Sequence, residues 1–458
     1  MQGFSWQDGV LHADSVPLPA LAEAVGTPTY VYSASSIRAA YRRLEQAFAP
    51  LRPRLRYAIK ASPNLQLCRL LQGLGAGMDV VSGGELERAW LAGTPMSEIV
   101  FAGVGKSDVE IRAALDGRAS PLARAARGFG APDPAGRGPV GLLNVESESE
   151  LAAIARIGRE LGIRARAAVR VNPNVDPHTH EYTTTGKEEN KFGIDADQIV
   201  ELFGRWDGDP GVELLGLHVH IGSPVPRVEP YAEAIAVLEL LIDQLAARGH
   251  RIEVLDLGGG WPVPYREGEV PPIEAYAERI VPLLAERVRQ GLTVCLEPGR
   301  SILANSGLLL TRVQHIKRGR AKTFVICDGG MQSLLRPALY RAFHFLWPVA
   351  WSGPAPAWLE EPLPGLLPCD VVGPICETGD FLARGRPLPP VFRGDLLAVF
   401  SAGAYGMSMS LNYNDHGRPA EVLVDGGEAR LIRPRQALEA LLEPELEALP
   451  LVPAGAWA

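Results

Sequence analysis

The chain is poor in cysteine, has no long apolar run and carries no excess of positive charge. Its five cysteines (Cys68, Cys295, Cys327, Cys369, Cys376) are an odd number and form no CxxC pair. That excludes a disulfide framework or a zinc ribbon as the organising device and fits a reducing compartment. No stretch approaches the ~18 uninterrupted apolar residues of a membrane span; even residues 338–351 contain Arg341 and His344. The opening MQGFSWQDGV lacks the basic start and apolar core of a secretion signal, so a cytoplasmic protein with no membrane partner is expected. A formal net charge of −8 argues against non-specific binding to nucleic acid or anionic lipid.

What is plentiful is glycine and proline, 49 and 39 of 458 residues, in a composition that otherwise excludes disorder, collagen and coiled coil. Turns are therefore many, and the useful question is what approaches the glycines. Eight short apolar runs end in polar or glycine-rich stops: LRYAIK (55–60), GMDVVSG (77–83), EIVFAG (98–103), VGLLNVES (140–147), RAAVRVNP (166–173), LLGLHVHIGS (214–223), VLDLGGG (254–260) and TVCLEPGR (293–300). Between them, segments such as 64–74, 84–92, 147–162, 228–248 and 274–290 place apolar residues at three- and four-residue spacing. The alternation predicts an α/β fold with a parallel sheet. Eight strands predict a closed (β/α)₈ TIM barrel over 29–302 rather than an open doubly wound sheet. Beyond it, segments 312–330, 369–380, 395–406 and 419–434 alternate short strands with turns, which predicts an all-β domain over 303–458. Residues 117–139 and 351–368 read as exposed insertions.

A barrel carries its site at the C-terminal ends of its strands. Strand one ends in Lys60, and strand six in His218, His220 and Gly222-Ser223. Strand seven ends in Gly258-Gly259-Gly260, and strand eight in Glu297-Pro298-Gly299-Arg300. A lone lysine at a strand end is ordinarily solvated, but one desolvated in a pocket has a lowered pKa and can form a Schiff base. Bare glycine amides can cradle a phosphate, although a tight turn uses glycine too. An amine, a backbone cradle and an acid across the barrel are together what pyridoxal phosphate requires, the acid keeping the pyridine nitrogen protonated. The histidines also permit a rival. His218-x-His220 looks like the metal pair of a zinc-dependent barrel hydrolase, which needs a third ligand; His178 and His180 fall in a polar loop instead.

Over nearly its whole length the chain resembles the fold-type III pyridoxal-phosphate decarboxylases, the group that contains diaminopimelate, ornithine and arginine decarboxylases. The strings that carry the resemblance are YAIKAS (57–62), GMDVVSGGEL (77–86), NVESESEL (144–151), ENKFGI (189–194), HVHIGS (218–223) and DLGGG (256–260). They continue with EPGRSI (297–302), RPALY (336–340), GPICETGD (373–380), SAGAYG (401–406) and NYN (412–414). The resemblance implies a barrel followed by a β domain that also recruits the N-terminal segment, residues 1–28. It implies that Lys60 carries pyridoxal 5′-phosphate and that Glu297 pairs with the pyridine nitrogen. His220 would stack on the ring, while Ser223, Gly258 to Gly260 and Gly299 would hold the phosphate. Asp79, Pro298, Arg300 and Tyr405 fall at further cofactor positions, and Arg300, Arg336, Tyr340, Glu377 and Tyr405 at substrate positions. Cys376 matches the acid that reprotonates the α-carbon, although a free cysteine is ordinarily a small buried hydrophobe. The Cys376–Glu377 segment would come from a second subunit, so a homodimer with sites at the subunit interface is implied.

The substrate's chemistry agrees. Meso-diaminopimelate has two carboxylates; one leaves, and the other needs a permanent partner of the kind that arginines supply. Decarboxylation to L-lysine is thus the expected activity, and Arg300 with Arg336 suits a dicarboxylic amino acid better than ornithine. The longer 117–139 loop, Gln332 and the DHG at 415–417 depart from the family pattern and leave room for a D-amino acid or a siderophore-type substrate. A catalytically silent relative is the other alternative, against which the presence of Lys60, Glu297 and Cys376 counts.

Overall fold

A computed structural model describes residues 3–117, 137–176, 185, 190–266, 270–353 and 365–446. The core of the 117–139 insertion, much of the 351–368 connection and the pair His178 and His180 lie outside the described residues.

All eight expected strands form: Arg54–Ala58, Gly77–Val80, Ile99–Phe101, Leu142–Val145, Ala165–Asn172, Val212–His218, Val254–Asp256 and Thr293–Leu296. Each pairs in parallel with the next. Strand eight returns to strand one through Cys295↔Arg54 and Leu296↔Leu55, so the sheet is a closed barrel. Val100, Leu142, Ala168 and Leu215, from strands three to six, form a buried cluster apart from the main core, as the inward side chains of a filled barrel do.

The turns that follow strands two, three and four are set by short motifs of one kind. Ser82, Ser107 and Ser147 each accept a hydrogen bond from the amide three residues on, at Glu85, Glu110 and Glu150. Glu85 and Glu150 reach back to the amides of Val81 and Glu146, at 2.9 and 3.1 Å. Each Ser-x-x-Glu thus satisfies orphan donors at a helix start and fixes where the chain leaves the barrel rim. Beneath strand seven's loop lies an aromatic cluster. Tyr231 stacks on Trp261 with ring centroids 4.5 Å apart, and Tyr276 meets Trp261 edge-on at 6.0 Å. Tyr231 donates to Gly259 O at 2.8 Å and Tyr276 to Val225 O at 2.9 Å, which clamps the glycine loop from below.

The second domain is mostly β. Its sheet runs in the order Phe381–Leu388, Leu367–Val372, Thr323–Cys327, Gly307–Arg318, Thr29–Ser33, Ala420–Asp425, Glu428–Arg433. Thr29–Ser33 therefore sits in this sheet and not in the barrel, where the 29–302 boundary put it. Its residues are all buried, as a barrel strand's are, and a helix (Ala34–Ala47) follows it; its partners, Gly307–Arg318 (antiparallel) and Ala420–Asp425 (parallel), separate the two cases. The N-terminal meander (Phe4–Gln7, Val10–Ala13, Val16–Pro17) docks on the same domain through Leu11 N to Val349 O, 2.8 Å.

One buried carboxylate joins the halves. Glu421, fully buried on the β-domain strand, accepts from Tyr32 Oη at 2.9 Å, from Asn64 Nδ2 at 2.8 Å and from Arg433 Nε. Asn64 is itself the N-cap of the barrel's first helix, Leu65–Gly73. Removing one partner of such a buried network leaves the others unpaired. Glu421→Ala should therefore cost about 3–5 kcal/mol, read as a lowered urea midpoint; an unchanged midpoint would show that the seam does not depend on it.

Candidate active site

Strand one stops at Ala58, and a single tight turn, Ile59–Ala61, carries Lys60 over the rim. The turn is held by Tyr57, whose hydroxyl donates to Ser62 O at 2.9 Å and accepts from Ser62 N at 3.1 Å. Lys60 Nζ lies 2.6 Å from Asp79 Oδ2, on the neighbouring strand. Asp79 is fully buried, and its Oδ1 has no partner among the described residues. Burial alone would lower the lysine's pKa, as the sequence predicts. Here the carboxylates of Asp79 and Glu297 outweigh it and hold the ammonium above its ordinary range, so the direction expected from desolvation is reversed.

At the end of strand eight, Glu297 belongs to a buried acid cluster. Its Oε1 accepts from Asn144 Nδ2 at 3.3 Å, and its Oε2 lies 3.6 Å from His218 Nε2. His218, Asp256 and Glu297 each bring one polar atom to within 4.8 Å of the others. Burial, then the Glu297 charge, raises Asp256 to about 7. Burial, then Asp79, raises Glu297 to about 7. Burial lowers His218 to about 4, so the imidazole is neutral, and the two neighbouring buried carboxyls hold one proton between them near neutral pH.

The glycine loop packs against this cluster. Gly258 N donates to Asp256 Oδ1 at 2.9 Å, and Gly259 N to His220 Nδ1 at 3.0 Å. Gly258 has φ +63°, and a side chain there would meet Val219 O at 2.5 Å, so the close approach requires glycine. His220 Nδ1 is an acceptor, which places the ring proton on Nε2, and burial keeps the ring neutral. The zinc-pair expectation is overturned here: His220 is engaged by the glycine loop while His218 faces Asp256 and Glu297, so the two do not converge on one point. Pro298 O accepts from Ala58 N at 3.1 Å, and Gly299 packs on Ala58 and Ala61, tying strand eight's end to the Lys60 turn.

Two buried arginines complete the pocket. Arg300 donates to Tyr265 Oη at 2.7 Å and to Ser223 Oγ at 3.3 Å, with its guanidinium 4.8 Å from the Tyr405 ring centroid. Arg336 opens the helix Arg336–Tyr340, which carries Tyr340 one turn on, and lies over the Tyr265 ring at 4.8 Å. Among the described residues neither guanidinium has a carboxylate partner, and Arg336 Nε has no acceptor at all. Tyr405 takes φ +55°, unusual for a non-glycine residue, and donates its amide to Ala61 O at 2.8 Å; such strain gathers at functional sites. Two expected residues are not in this group. Cys376 and Glu377 are exposed, with Cys376 Sγ 3.5 Å from Asn414 Oδ1 and Glu377 hydrogen-bonded to Tyr413.

Sequence reasoning missed Asp256, Asn144, Tyr265 and His344. Asp256 stood in view in DLGGG, whose glycines drew the attention; Tyr265 and His344 have no local signal.

The shared proton gives a testable pH dependence. A carboxyl whose folded pKa is raised lowers stability progressively as pH rises from its unfolded value to its folded value, and costs nothing further above it. From this pair the cofactor-free protein loses stability between the unfolded value, roughly 4, and about 7. Asp256→Asn removes one of the two acids. Its melting temperature should fall less from about pH 5 to about pH 8 than the wild type's; equal falls would mean that no proton is shared.

Comparison with known proteins agrees with this geometry. Residues 34–304 match the family model described as the pyridoxal-binding domain of pyridoxal-dependent decarboxylases. The chain is 43% identical to a diaminopimelate decarboxylase of Neisseria meningitidis over 96% of its own length and 100% of the relative's. It is also 43% identical to the diaminopimelate decarboxylase of Pseudomonas aeruginosa, over 96% and 98%. The crystal structure of diaminopimelate decarboxylase from Helicobacter pylori complexed with L-lysine superposes with a TM-score of 0.81 at 37% identity, covering 93% of this chain and 99% of that one. The chain belongs to the pyridoxal-dependent decarboxylases and, within them, to the diaminopimelate decarboxylase family.

Proposed function

We propose that the protein decarboxylates meso-2,6-diaminopimelate to L-lysine and carbon dioxide, the lysine-forming end of lysine biosynthesis, with pyridoxal 5′-phosphate as cofactor. The observation that carries this is the pair of buried, acid-free arginines. A guanidinium taken out of water without a counter-charge is costly, and a substrate with a second carboxylate supplies that charge. The residues present also fit the cofactor: an amine on a fixed turn, an orphaned Asp79 oxygen beside it, a glycine loop that tolerates no side chain, and a buried acid opposite.

When bound, pyridoxal phosphate supplies the sink for the electron pair released as the bond to the departing carboxylate breaks. The protein's own parts are these. Lys60 offers the amine that holds the cofactor and releases it to the substrate amine. Asp79 orients that amine and takes its charge. Glu297 would face the pyridine nitrogen, and Asp256 beside it can keep the shared proton, which would leave Glu297 free to pair as a carboxylate. Gly258 to Gly260, Gly299 and Ser223 line the phosphate end, and neutral His220 lies beside them for the ring. Arg300, Arg336 and Tyr340 hold the retained carboxylate, with Tyr405 packed on Arg300. Cys376 delivers a proton from Sγ to the α-carbon, and Glu377 faces the distal ammonium. Both are exposed in one chain, with Asn414 and Tyr413 as their partners, which supports a homodimer in which each subunit lends this segment to the other's site.

Carbon dioxide release from meso-diaminopimelate should exceed that from L-lysine, L-ornithine or L-arginine; activity on the last three but not the first would overturn the substrate. Cys376→Ala should lower kcat at least about a hundredfold, the scale of a lost general acid. If sites are shared, mixing and reassembling Lys60→Ala with Cys376→Ala protein should restore about a quarter of wild-type activity, since half the dimers are mixed and each has one intact site. No recovery after subunit exchange would rule out sharing.

A further inference from the structure

Resting on that reading of the same pocket, we infer that His344 is the positioning residue that fits the site to a second carboxylate: it satisfies a buried N–H of Arg336 while leaving the guanidinium's charge uncancelled. Arg336 Nη1 lies 3.0 Å from His344 Nε2. A guanidinium can only donate, so Nε2 accepts, and the ring's proton sits on Nδ1, which donates to Phe400 O at 2.9 Å. The imidazole is thereby held in one neutral tautomer. Its backbone is fixed as well, since Arg386 Nη1 donates to His344 O at 2.9 Å and the ring meets Tyr265 edge-on at 5.4 Å. His344 is fully buried, and burial, then Arg336, lowers its pKa to about 3. It stays uncharged at any working pH.

The alternative acceptor shows why this matters. A buried arginine is usually answered by a carboxylate, as Arg170 is by Glu146 at 2.7 Å elsewhere in this barrel. An acid at the His344 position would pair with Arg336 permanently and occupy the charge that a substrate has to find. A neutral nitrogen removes the cost of one unpaired N–H and leaves the electrostatic demand standing. Arg300 adds to it, because both guanidiniums contact Tyr265, one at its hydroxyl and one at its ring face. Each guanidinium's charge weighs on the other, and an anion bound beside them relieves that repulsion. The ligand class is therefore an amino acid bearing a second carboxylate.

His344→Gln and His344→Glu are nearly isosteric, and both place an oxygen near the Nε2 position; they differ in charge. With pyridoxal-loaded enzyme, H344E should raise KM for meso-diaminopimelate about tenfold or more over H344Q, with kcat within about threefold and a melting temperature no lower. H344Q should stay near the wild-type KM. Equal KM values in the two variants would overturn the inference, and so would a loss confined to kcat. Should H344E not fold, His344→Leu serves in its place: it removes the acceptor, and a KM equal to that of H344Q overturns the idea. If the wild type releases no carbon dioxide from meso-diaminopimelate, the substrate reading fails separately. Calorimetric titration with pimelate, a plain dicarboxylate, then tests the pocket without turnover: binding weakened about tenfold in H344E relative to H344Q supports the inference, and equal binding overturns it.

Discussion

The pairing of the last barrel strand with the first is the constraint on which the site depends. Cys295↔Arg54 and Leu296↔Leu55 close the sheet, and Ala58 N to Pro298 O at 3.1 Å extends the contact to the rim. Two strands joined this way carry Lys60 and Glu297 on adjacent ends, so the amine and the acid face one pocket without any loop having to find its partner. Gly299 packing directly on Ala58 and Ala61 leaves little freedom in that relation. Glu421 then fixes the β domain against the first barrel helix through Asn64, and that domain supplies Arg336, His344 and Tyr405. Barrel closure sets one half of the site, and the domain seam sets the other.

The charges in the pocket fall into three kinds, each with its own use. Lys60 and Asp79 are paired, which keeps the amine in place at 2.6 Å. Glu297 and Asp256 share a proton beside neutral His218, so the protein can hold or release charge there at little cost. Among the described residues Arg300 and Arg336 are buried with neutral partners and no carboxylate, so they create a demand that an anionic ligand can meet. On the proposed roles, selection among amino acids would come from the arginines, while the paired and shared sets would serve chemistry common to any substrate.

Much of this was legible in order along the chain. The strand ends displayed Lys60, the glycine triplet and Glu297, because a barrel presents its strand ends at one rim. What stayed hidden depends on contacts between distant segments. Thr29–Ser33 has the buried pattern of a barrel strand and a helix after it, and its pairing with Gly307–Arg318 and Ala420–Asp425 assigns it elsewhere. Lys60 was expected to titrate low because desolvation can be guessed from an apolar strand, whereas the carboxylate 2.6 Å away cannot. His218 and His220 looked like a pair by spacing, yet each is committed to a different neighbour. His344 carried no motif at all; its role exists only because residues 336 and 400 meet it in space.

The position of Cys376 shows how far one chain can go alone. In the proposed chemistry, loss of carbon dioxide needs only an amine, an acid and a fixed carboxylate, all of which a single subunit buries together. The return of a proton to the α-carbon needs a donor that approaches after that carboxylate has gone. A thiol built into the same buried wall would compete for space with the leaving group. A thiol on an exposed segment, held against Asn414 with Glu377 and Tyr413 beside it, can be brought in by a second subunit from another side. If sites are shared as proposed, association of subunits would serve the chemistry, and an isolated chain would bind its ligands yet turn over slowly.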